Sequence, residues 1–91
     1  MLEELKAFTA VVDRSSLTKA ADALALTQSA VSRRVQQLEE MLGATLLDRS
    51  SRPPTATAVG RRVYQLATAL LRDLDRLMSI PKDDGEPSGT F

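Results

Sequence analysis

The sequence contains neither cysteine nor histidine. Their absence excludes disulfides, metal sites built on thiolate or imidazole, and nucleophilic catalysis by Cys–His or Ser–His sets. Aromatic residues make up only 3 % of the chain, so a hydrophobic core has to be built from Leu, Val, Ala and Met, which suits helices. We therefore expect a helical protein that has no cofactor and no enzymatic function.

Long apolar runs are also missing. No segment approaches the roughly 20 apolar residues of a membrane span, and the stretch from Met1 to Lys6 is amphipathic and acidic, unlike a secretory signal. We expect a cytoplasmic protein without a membrane partner. With 91 residues the chain holds one small core, so we also expect no room beside that core for a small-molecule pocket of several hundred cubic ångströms.

Charge is balanced overall but unevenly distributed. The chain has 12 basic and 12 acidic residues, and a neutral total argues weakly against a nucleic-acid-binding protein. Between Arg14 and Arg62, however, eight basic residues stand against four acidic ones. The neutral average therefore conceals a basic middle segment.

Apolar spacing and capping residues predict three helices in the first half. Apolar residues recur at three- and four-residue steps from Leu2 to Val12, which indicates an amphipathic helix. Ser16 is placed to cap a short, Ala-rich second helix, and Thr27 to cap a third helix that runs from Gln28 to about Leu42. A turn of about three residues joins the second and third helices, a spacing typical of a helix-turn-helix.

A hairpin and a long helix are predicted next. Residues 45–49 and 55–57 favour two short strands, and Pro53 and Pro54 between them exclude a helix and give the hairpin, or wing, a stiff tip. Thr57 then caps a helix from Ala58 to about Ser79, and Gly60 in its first turn suggests a close contact. We divide the chain into a winged helix-turn-helix at 1–57, a linker helix at 58–79 and a flexible linker at 80–91.

The third helix presents two different faces. Its core stripe is predicted to comprise Val31, Val35, Leu38 and Leu42. A second stripe lies roughly 120° away on a helical wheel and holds hydrogen-bonding groups without a carboxylate: Gln28, Ser29, Ser32, Arg33 and Gln36. Arg can bind guanine and Gln can bind adenine through two hydrogen bonds each, so this face is suited to reading double-stranded DNA. The alternative interpretation is an ordinary solvated helix surface.

Many residues at fixed spacing resemble one known family. The chain closely resembles the N-terminal domain of LysR-type transcriptional regulators, which are bacterial proteins, over about the first 78 residues. The resemblance is carried by Leu17-Thr18-Lys19-Ala20-Ala21, Leu24, Thr27-Gln28-Ser29-Ala30-Val31-Ser32-Arg33-Arg34-Val35, Leu38-Glu39-Glu40, Leu42-Gly43, Leu46-Leu47-Asp48-Arg49, Thr57 and Gly60.

The resemblance implies a winged helix-turn-helix of three helices and a two-stranded wing, followed by a long dimerisation helix. In that family a larger effector-binding domain follows. It further implies that Gln28, Ser29, Ser32 and Arg33 face the major groove and that Arg52 and Pro53 reach the minor groove. Contacts to the DNA backbone are implied for Thr18 and Arg49.

Three residues depart from the family pattern. Ser15 replaces the usual glycine after the first helix, so a left-handed backbone there would be mildly strained. Ser29 stands where proline is frequent, which leaves an additional backbone N–H at the start of the third helix. Ala56 stands where a larger apolar residue is common, which predicts a less firmly packed wing.

The long helix carries a broad apolar stripe that needs a partner. The stripe comprises Val59, Val63, Leu66, Leu70, Leu74 and Leu77, and Ala67, Leu71 and Met78 widen it. A small three-helix domain cannot cover a helix roughly 30 Å long. We therefore expect a homodimer through this helix, antiparallel as the resemblance implies; the alternative is packing against its own domain alone.

Other features are open to more than one interpretation. Arg61 and Arg62 are either phosphate contacts or solvated, and Arg52 either reads groove width or contacts a phosphate. We expect Arg34 and Gln37 to be surface residues and Tyr64 to serve packing. Adjacent carboxylates such as Glu39 and Glu40 are expected to be exposed, without a pocket partner and therefore without a role as acid–base pairs. For the chain as a whole, the alternative to a DNA-binding regulator is a helical protein-interaction module, supported only by the neutral net charge.

Overall fold

Four helices and a two-stranded antiparallel hairpin make up the computed structural model, which describes residues 1–81. The order is α1 (Leu2–Arg14), α2 (Leu17–Leu24), α3 (Gln28–Leu42), β1 (Leu47–Asp48), β2 (Thr55–Ala56) and α4 (Ala58–Met78). In the hairpin Leu47 is opposite Ala56 and Asp48 is opposite Thr55. The predicted winged helix-turn-helix with a long following helix is confirmed.

Each of the three predicted caps makes its hydrogen bond. Ser16 Oγ accepts from the backbone N–H of Lys19 at 3.1 Å, and Thr27 Oγ1 accepts from that of Ala30 at 3.1 Å. Thr57 Oγ1 accepts from Gly60 N–H at 2.9 Å. These bonds satisfy N–H groups that have no partner within the first turn, so the starts of α2, α3 and α4 are encoded locally.

Three helices end in a left-handed residue. Ser15 has φ 51°, which confirms the conformation that was expected to be strained there. Gly43, after α3, has φ 67° and suits it, since glycine has no Cβ. Ala25, after α2, has φ 57°. The sequence did not predict that conformation, because alanine rarely adopts it.

The core lies where α1, α2 and α3 meet the hairpin. Phe8, Val31, Val35 and Leu38 are fully buried, as the spacing predicted for the three α3 residues. Leu42, the fourth residue of the predicted stripe, is 45 % exposed, so that part of the prediction was wrong. Leu42 is the last residue of α3, and the chain turns at Gly43 directly after it. Leu46 and Leu47, which follow the turn, are buried in the core instead of Leu42.

The start of α4 is joined tightly to the hairpin. Thr57 N–H donates to Leu46 O at 3.0 Å, and the Thr57 hydroxyl donates to Thr45 O at 2.6 Å. A Cβ on Gly60 would lie 2.1 Å from Leu46 O. The close contact predicted at Gly60 is therefore present, and α4 leaves the domain from a fixed point.

One side of α4 packs on the domain and the rest projects beyond it. Val63, Tyr64 and Leu71 lie against the core cluster and Ala67 is buried in it. The described residues extend over 55 × 25 × 18 Å. Of the linker predicted at 80–91, residues 82–91 lie outside the described residues. Within residues 1–81 no helix combines the length and the apolar character needed to traverse a bilayer.

Candidate nucleic-acid interface

The polar stripe of α3 lies on the outside of the domain. Gln28, Ser29, Arg33 and Gln36 are exposed and Ser32 is half-buried, whereas Val31, Val35 and Leu38 hold another side of the helix in the core. The structure therefore brings all five predicted recognition residues onto one accessible surface. We call Gln28, Ser29, Ser32, Arg33 and Gln36 the recognition face.

A side-chain hydrogen bond joins the recognition face to α2. Gln28 Nε2 donates to Thr18 Oγ1 at 2.8 Å. The Thr18 hydroxyl accepts this bond and keeps its own proton for another acceptor, and Gln28 keeps its carbonyl oxygen and a second N–H. Both residues were predicted to contact DNA, but their contact with each other depends on how α2 packs on α3 and has no signal in the sequence.

A second contact joins the recognition face to the hairpin. Arg49 Nη1 donates to Ser32 Oγ at 3.1 Å, and Arg49 Nη2 lies 3.8 Å from Glu39 Oε1. Glu39 was expected to lie at an exposed position without a pocket partner. That expectation was wrong, since its side chain is only 18 % exposed and its other oxygen accepts from the backbone N–H groups of Leu46 and Leu47.

The tip of the wing is ordered by short-range hydrogen bonds. The Asp48 carboxylate accepts from the backbone N–H of Ser50 at 3.0 Å and from the Ser50 hydroxyl. These bonds from Ser50 hold the pKa of Asp48 below its ordinary value. The Ser51 and Thr55 hydroxyls lie 3.2 Å apart and bridge the two sides of the tip. Arg52 and Pro53 therefore project, exposed, from an ordered loop.

An open cleft separates the wing from the start of α2. Its volume is about 470 Å³, and its lining includes Ser16, Arg49, Arg52 and Pro53. The lack of room predicted from the sequence concerned a pocket beside the core. The space lies at the surface between two elements and not beside the core, so a small core did not exclude it. Two guanidinium groups and the N-terminus of α2 make the cleft suitable for an anionic backbone.

Flanking residues fall outside the recognition face. Arg34 is half-buried, and its charge acts on Glu4 of α1. The pKa of Glu4 is lowered chiefly by a hydrogen bond from the N-terminal amine and to a smaller extent by the Arg34 charge. Arg61 Nη1 donates to Ala56 O at 3.2 Å, at the base of the wing. Arg62 is exposed.

Among residues 1–81 no group of three His, Cys, Asp or Glu side chains is placed to hold a metal ion.

The apolar stripe of α4 divides into an inner and an outer part. Leu66, Leu70 and Leu77 are 69, 59 and 62 % exposed, and Val59 is exposed as well. Val63 and Leu74 are half-buried, and Val63 packs against its own domain. The outer leucines form a projecting apolar surface that the domain itself leaves uncovered, while the inner residues anchor the helix.

Comparison with known proteins places this architecture in a family. Residues 2–61 match the family model described as the bacterial regulatory helix-turn-helix protein, lysR family. The HTH-type transcriptional regulator BenM of Acinetobacter baylyi is 47 % identical over 81 residues, covering 89 % of this chain and 27 % of that protein. PtxR of Pseudomonas aeruginosa is 42 % identical over 89 residues, covering 97 % of this chain and 28 % of that protein.

Solved structures agree with these relatives. The crystal structure of the BenM DNA-binding domain with benA site 1 DNA matches with a TM-score of 0.83 and 47 % identity over 87 % of this chain and 89 % of that one. The DNA complex of DarR from Vibrio fischeri matches with a TM-score of 0.81 and 30 % identity over 87 % of this chain and 27 % of that one. The chain thus spans less than a third of the length of the curated relatives that it matches.

Proposed function

Because the chain belongs to the lysR family of bacterial regulatory helix-turn-helix proteins, we propose that it binds double-stranded DNA sequence-specifically as a homodimer and regulates transcription. The observation that carries this proposal is the recognition face: five exposed or half-buried hydrogen-bonding residues on α3 and no carboxylate among them. Such a surface fits the major groove, where base pairs differ in their donors and acceptors.

We assign the predicted contacts as follows. Gln28, Ser29, Ser32 and Arg33 read base edges, and Gln36 lies at the end of the same face. Arg52 and Pro53 enter the minor groove, and Thr18 and Arg49 bind the backbone on either side of the recognition face. The cleft beside Arg49 and Arg52 supports this arrangement, because it leaves room for a strand between α2 and the wing.

The dimer is proposed to form through the outer part of α4. Leu66, Leu70 and Leu77 expose apolar surface on a projecting helix, and burial against a second copy would remove it from water. We propose a binding function without catalysis, at the chromosome and therefore in the cytoplasm. No small-molecule ligand is assigned to the chain.

Substitution of Arg33 tests base reading. Arg33→Ala should weaken binding to a selected duplex by about 1–3 kcal/mol and weaken binding to random duplex much less, measured by fluorescence anisotropy at several salt concentrations. Arg34→Ala removes the same charge from the neighbouring residue and should act alike on both duplexes. Equal losses on both duplexes for Arg33→Ala would refute base reading by Arg33. Absence of any salt-dependent affinity in the unsubstituted chain would favour the protein-interaction module instead.

A further inference from the structure

We infer that Glu39 is a positioning residue for DNA recognition, because it holds the Arg49 guanidinium against Ser32 and so directs the Ser32 hydroxyl proton outward. The inference rests on the proposed function and deepens it. It implies that Ser32 acts as a hydrogen-bond donor towards DNA. It also implies that the Glu39 carboxylate, which lies outside the recognition face, makes Ser32 a donor.

The Glu39 carboxylate is fixed by the backbone of the chain that enters the hairpin. Its Oε2 accepts from Leu46 N–H at 2.8 Å and from Leu47 N–H at 3.2 Å, and both of these residues are buried. Glu39 lies in the last part of α3, so the carboxylate joins the recognition helix directly to β1. A carboxylate held by two backbone donors is already ordered before it meets a cation.

Arg49 is then held between Glu39 and Ser32. Its Nη2 lies 3.8 Å from Glu39 Oε1 and its Nη1 donates to Ser32 Oγ at 3.1 Å. An exposed ion pair usually contributes little, because two flexible side chains have to be ordered at once. Here only Arg49 has to be ordered, since Glu39 is fixed by Leu46 and Leu47. In one orientation the planar guanidinium donates to Ser32 and lies at ion-pair distance from Glu39.

The contact from Arg49 determines what Ser32 can offer to DNA. A serine hydroxyl has one proton, and an arginine is a donor only. When Ser32 Oγ accepts from Arg49, its proton is free to point away from the protein. Ser32 is on the recognition face, so it would donate to an acceptor in the groove: guanine O6 or N7, adenine N7 or thymine O4. The cytosine amino group, itself a donor, would be disfavoured at that position.

Glu40 provides a matched control. It follows Glu39, carries the same charge and is exposed. Glu39→Gln and Glu40→Gln each remove one negative charge from the same end of α3, so both should raise the affinity for all DNA to a similar extent. In Glu39→Gln the new side-chain carbonyl could still accept from the Leu46 N–H, but the negative charge that holds Arg49 is lost. A difference between the two variants therefore reports the position of Arg49 and not net charge.

The experiment is selection of bound duplexes from a random pool with the unsubstituted chain, Glu39→Gln, Ser32→Ala and Glu40→Gln. We expect Glu39→Gln and Ser32→Ala each to reduce the base preference at the same position roughly tenfold, which is the effect of losing one base contact. Glu40→Gln should retain the preference. The double variant Glu39→Gln/Ser32→Ala should lose no more than Ser32→Ala alone, because both substitutions act through one hydroxyl.

The outcomes separate this inference from the proposed function. Equal base preferences for Glu39→Gln and Glu40→Gln, or a loss at a different position from that of Ser32→Ala, would overturn the role of Glu39 and leave the DNA-binding function standing. If Glu39→Gln does not fold, Arg49→Gln breaks the same chain of contacts at a residue with a partly exposed side chain, and it should lose the same base preference. An unsubstituted chain that enriches no sequence would overturn both proposals.

Discussion

At Gly60 the absence of a side chain lets α4 begin directly against the backbone of Leu46, the residue that precedes β1 of the wing. A Cβ there would lie 2.1 Å from Leu46 O and 3.0 Å from Leu46 C. Alanine is favoured over glycine in a helix by about 1 kcal/mol, but the contact is with backbone, which cannot rotate away. Sterics and helix propensity therefore act in opposite directions at this residue, and the steric term is the larger.

We expect Gly60→Ala to lower the free energy of unfolding by about 1–3 kcal/mol, measured by urea denaturation. Gly43→Asn is the control: Gly43 precedes the hairpin that Gly60 follows, but a Cβ there would meet nothing within 4 Å, and asparagine tolerates its positive φ. That variant should be nearly neutral. A stabilised Gly60→Ala would show that helix propensity outweighs the contact with Leu46.

At the scale of elements, one side-chain bond ties the long helix to α1. The Tyr64 hydroxyl on α4 donates to the Asp13 carboxylate on α1. That hydrogen bond raises the pKa of Tyr64, and partial burial adds to the effect. Tyr64 also packs against the core, as the sequence predicted. The bond therefore fixes the direction in which α4 leaves the domain.

The raised pKa predicts that stability falls in alkali. The folded state holds the Tyr64 proton more tightly than the unfolded state. The stability contributed by the bond from Tyr64 to Asp13 is therefore complete below the unfolded pKa of about 10, and it is lost as pH rises through the higher folded pKa. Ultraviolet absorbance of tyrosinate reports this residue alone, since the chain has one Tyr and no Trp. Tyr64→Phe should be less stable at neutral pH, and it should lack the part of the stability loss in alkali that comes from Tyr64. An ordinary tyrosine titration in the folded chain would contradict the assigned bond.

The outer stripe of α4 predicts the assembly. Leu70→Asp should convert the dimer to monomers in sedimentation, because a carboxylate in the centre of an apolar interface is strongly disfavoured. Leu70 is 59 % exposed in the single chain, so the substitution should leave the fold intact. Gln65→Asp introduces the same charge at an exposed position on another side of α4 and should leave the dimer unchanged. A Leu70→Asp variant that remains dimeric would exclude this stripe as the interface.

At the scale of the whole molecule, the proposed function requires the recognition face and the wing to act on the same duplex. In a dimer, two recognition faces would meet half-sites separated by about one helical turn or a multiple of it. Each wing would then lie beside its own half-site and sample the flanking minor groove. Arg52 is the charged residue at the wing tip, where hydrogen bonds from Ser50 to the Asp48 carboxylate and between the Ser51 and Thr55 hydroxyls order the loop.

We expect Arg52 to read groove width, because the minor groove of A·T tracts is narrow and strongly negative. Arg52→Ala should therefore weaken binding more on an operator with an A·T-rich flank than on one with a G·C-rich flank, measured by anisotropy titration. Arg62→Ala removes the same charge from α4 and should not distinguish the flanks. Equal losses for Arg52→Ala would indicate a phosphate contact only, and no loss on either flank would mean that the wing does not reach the DNA.

The sequence by itself determined those features that depend on near neighbours along the chain. Ser16, Thr27 and Thr57 each cap the helix that follows by a bond spanning three residues. Helical periodicity placed Val31, Val35 and Leu38 in the core and the recognition face on another side, because the geometry of one helix fixes which residues share a face. Charge distribution and the family resemblance then indicated what that face would bind.

Tertiary structure decided the contacts between segments that are far apart in the chain. Glu39 meets Leu46, Leu47 and Arg49, and Tyr64 meets Asp13 across 51 residues, only because helices and hairpin pack at particular angles. The same packing left Leu42 exposed and replaced it in the core by Leu46. The partner of a side chain depends on where whole helices and strands lie relative to one another. The periodicity of residues along one helix or strand does not predict those relative positions.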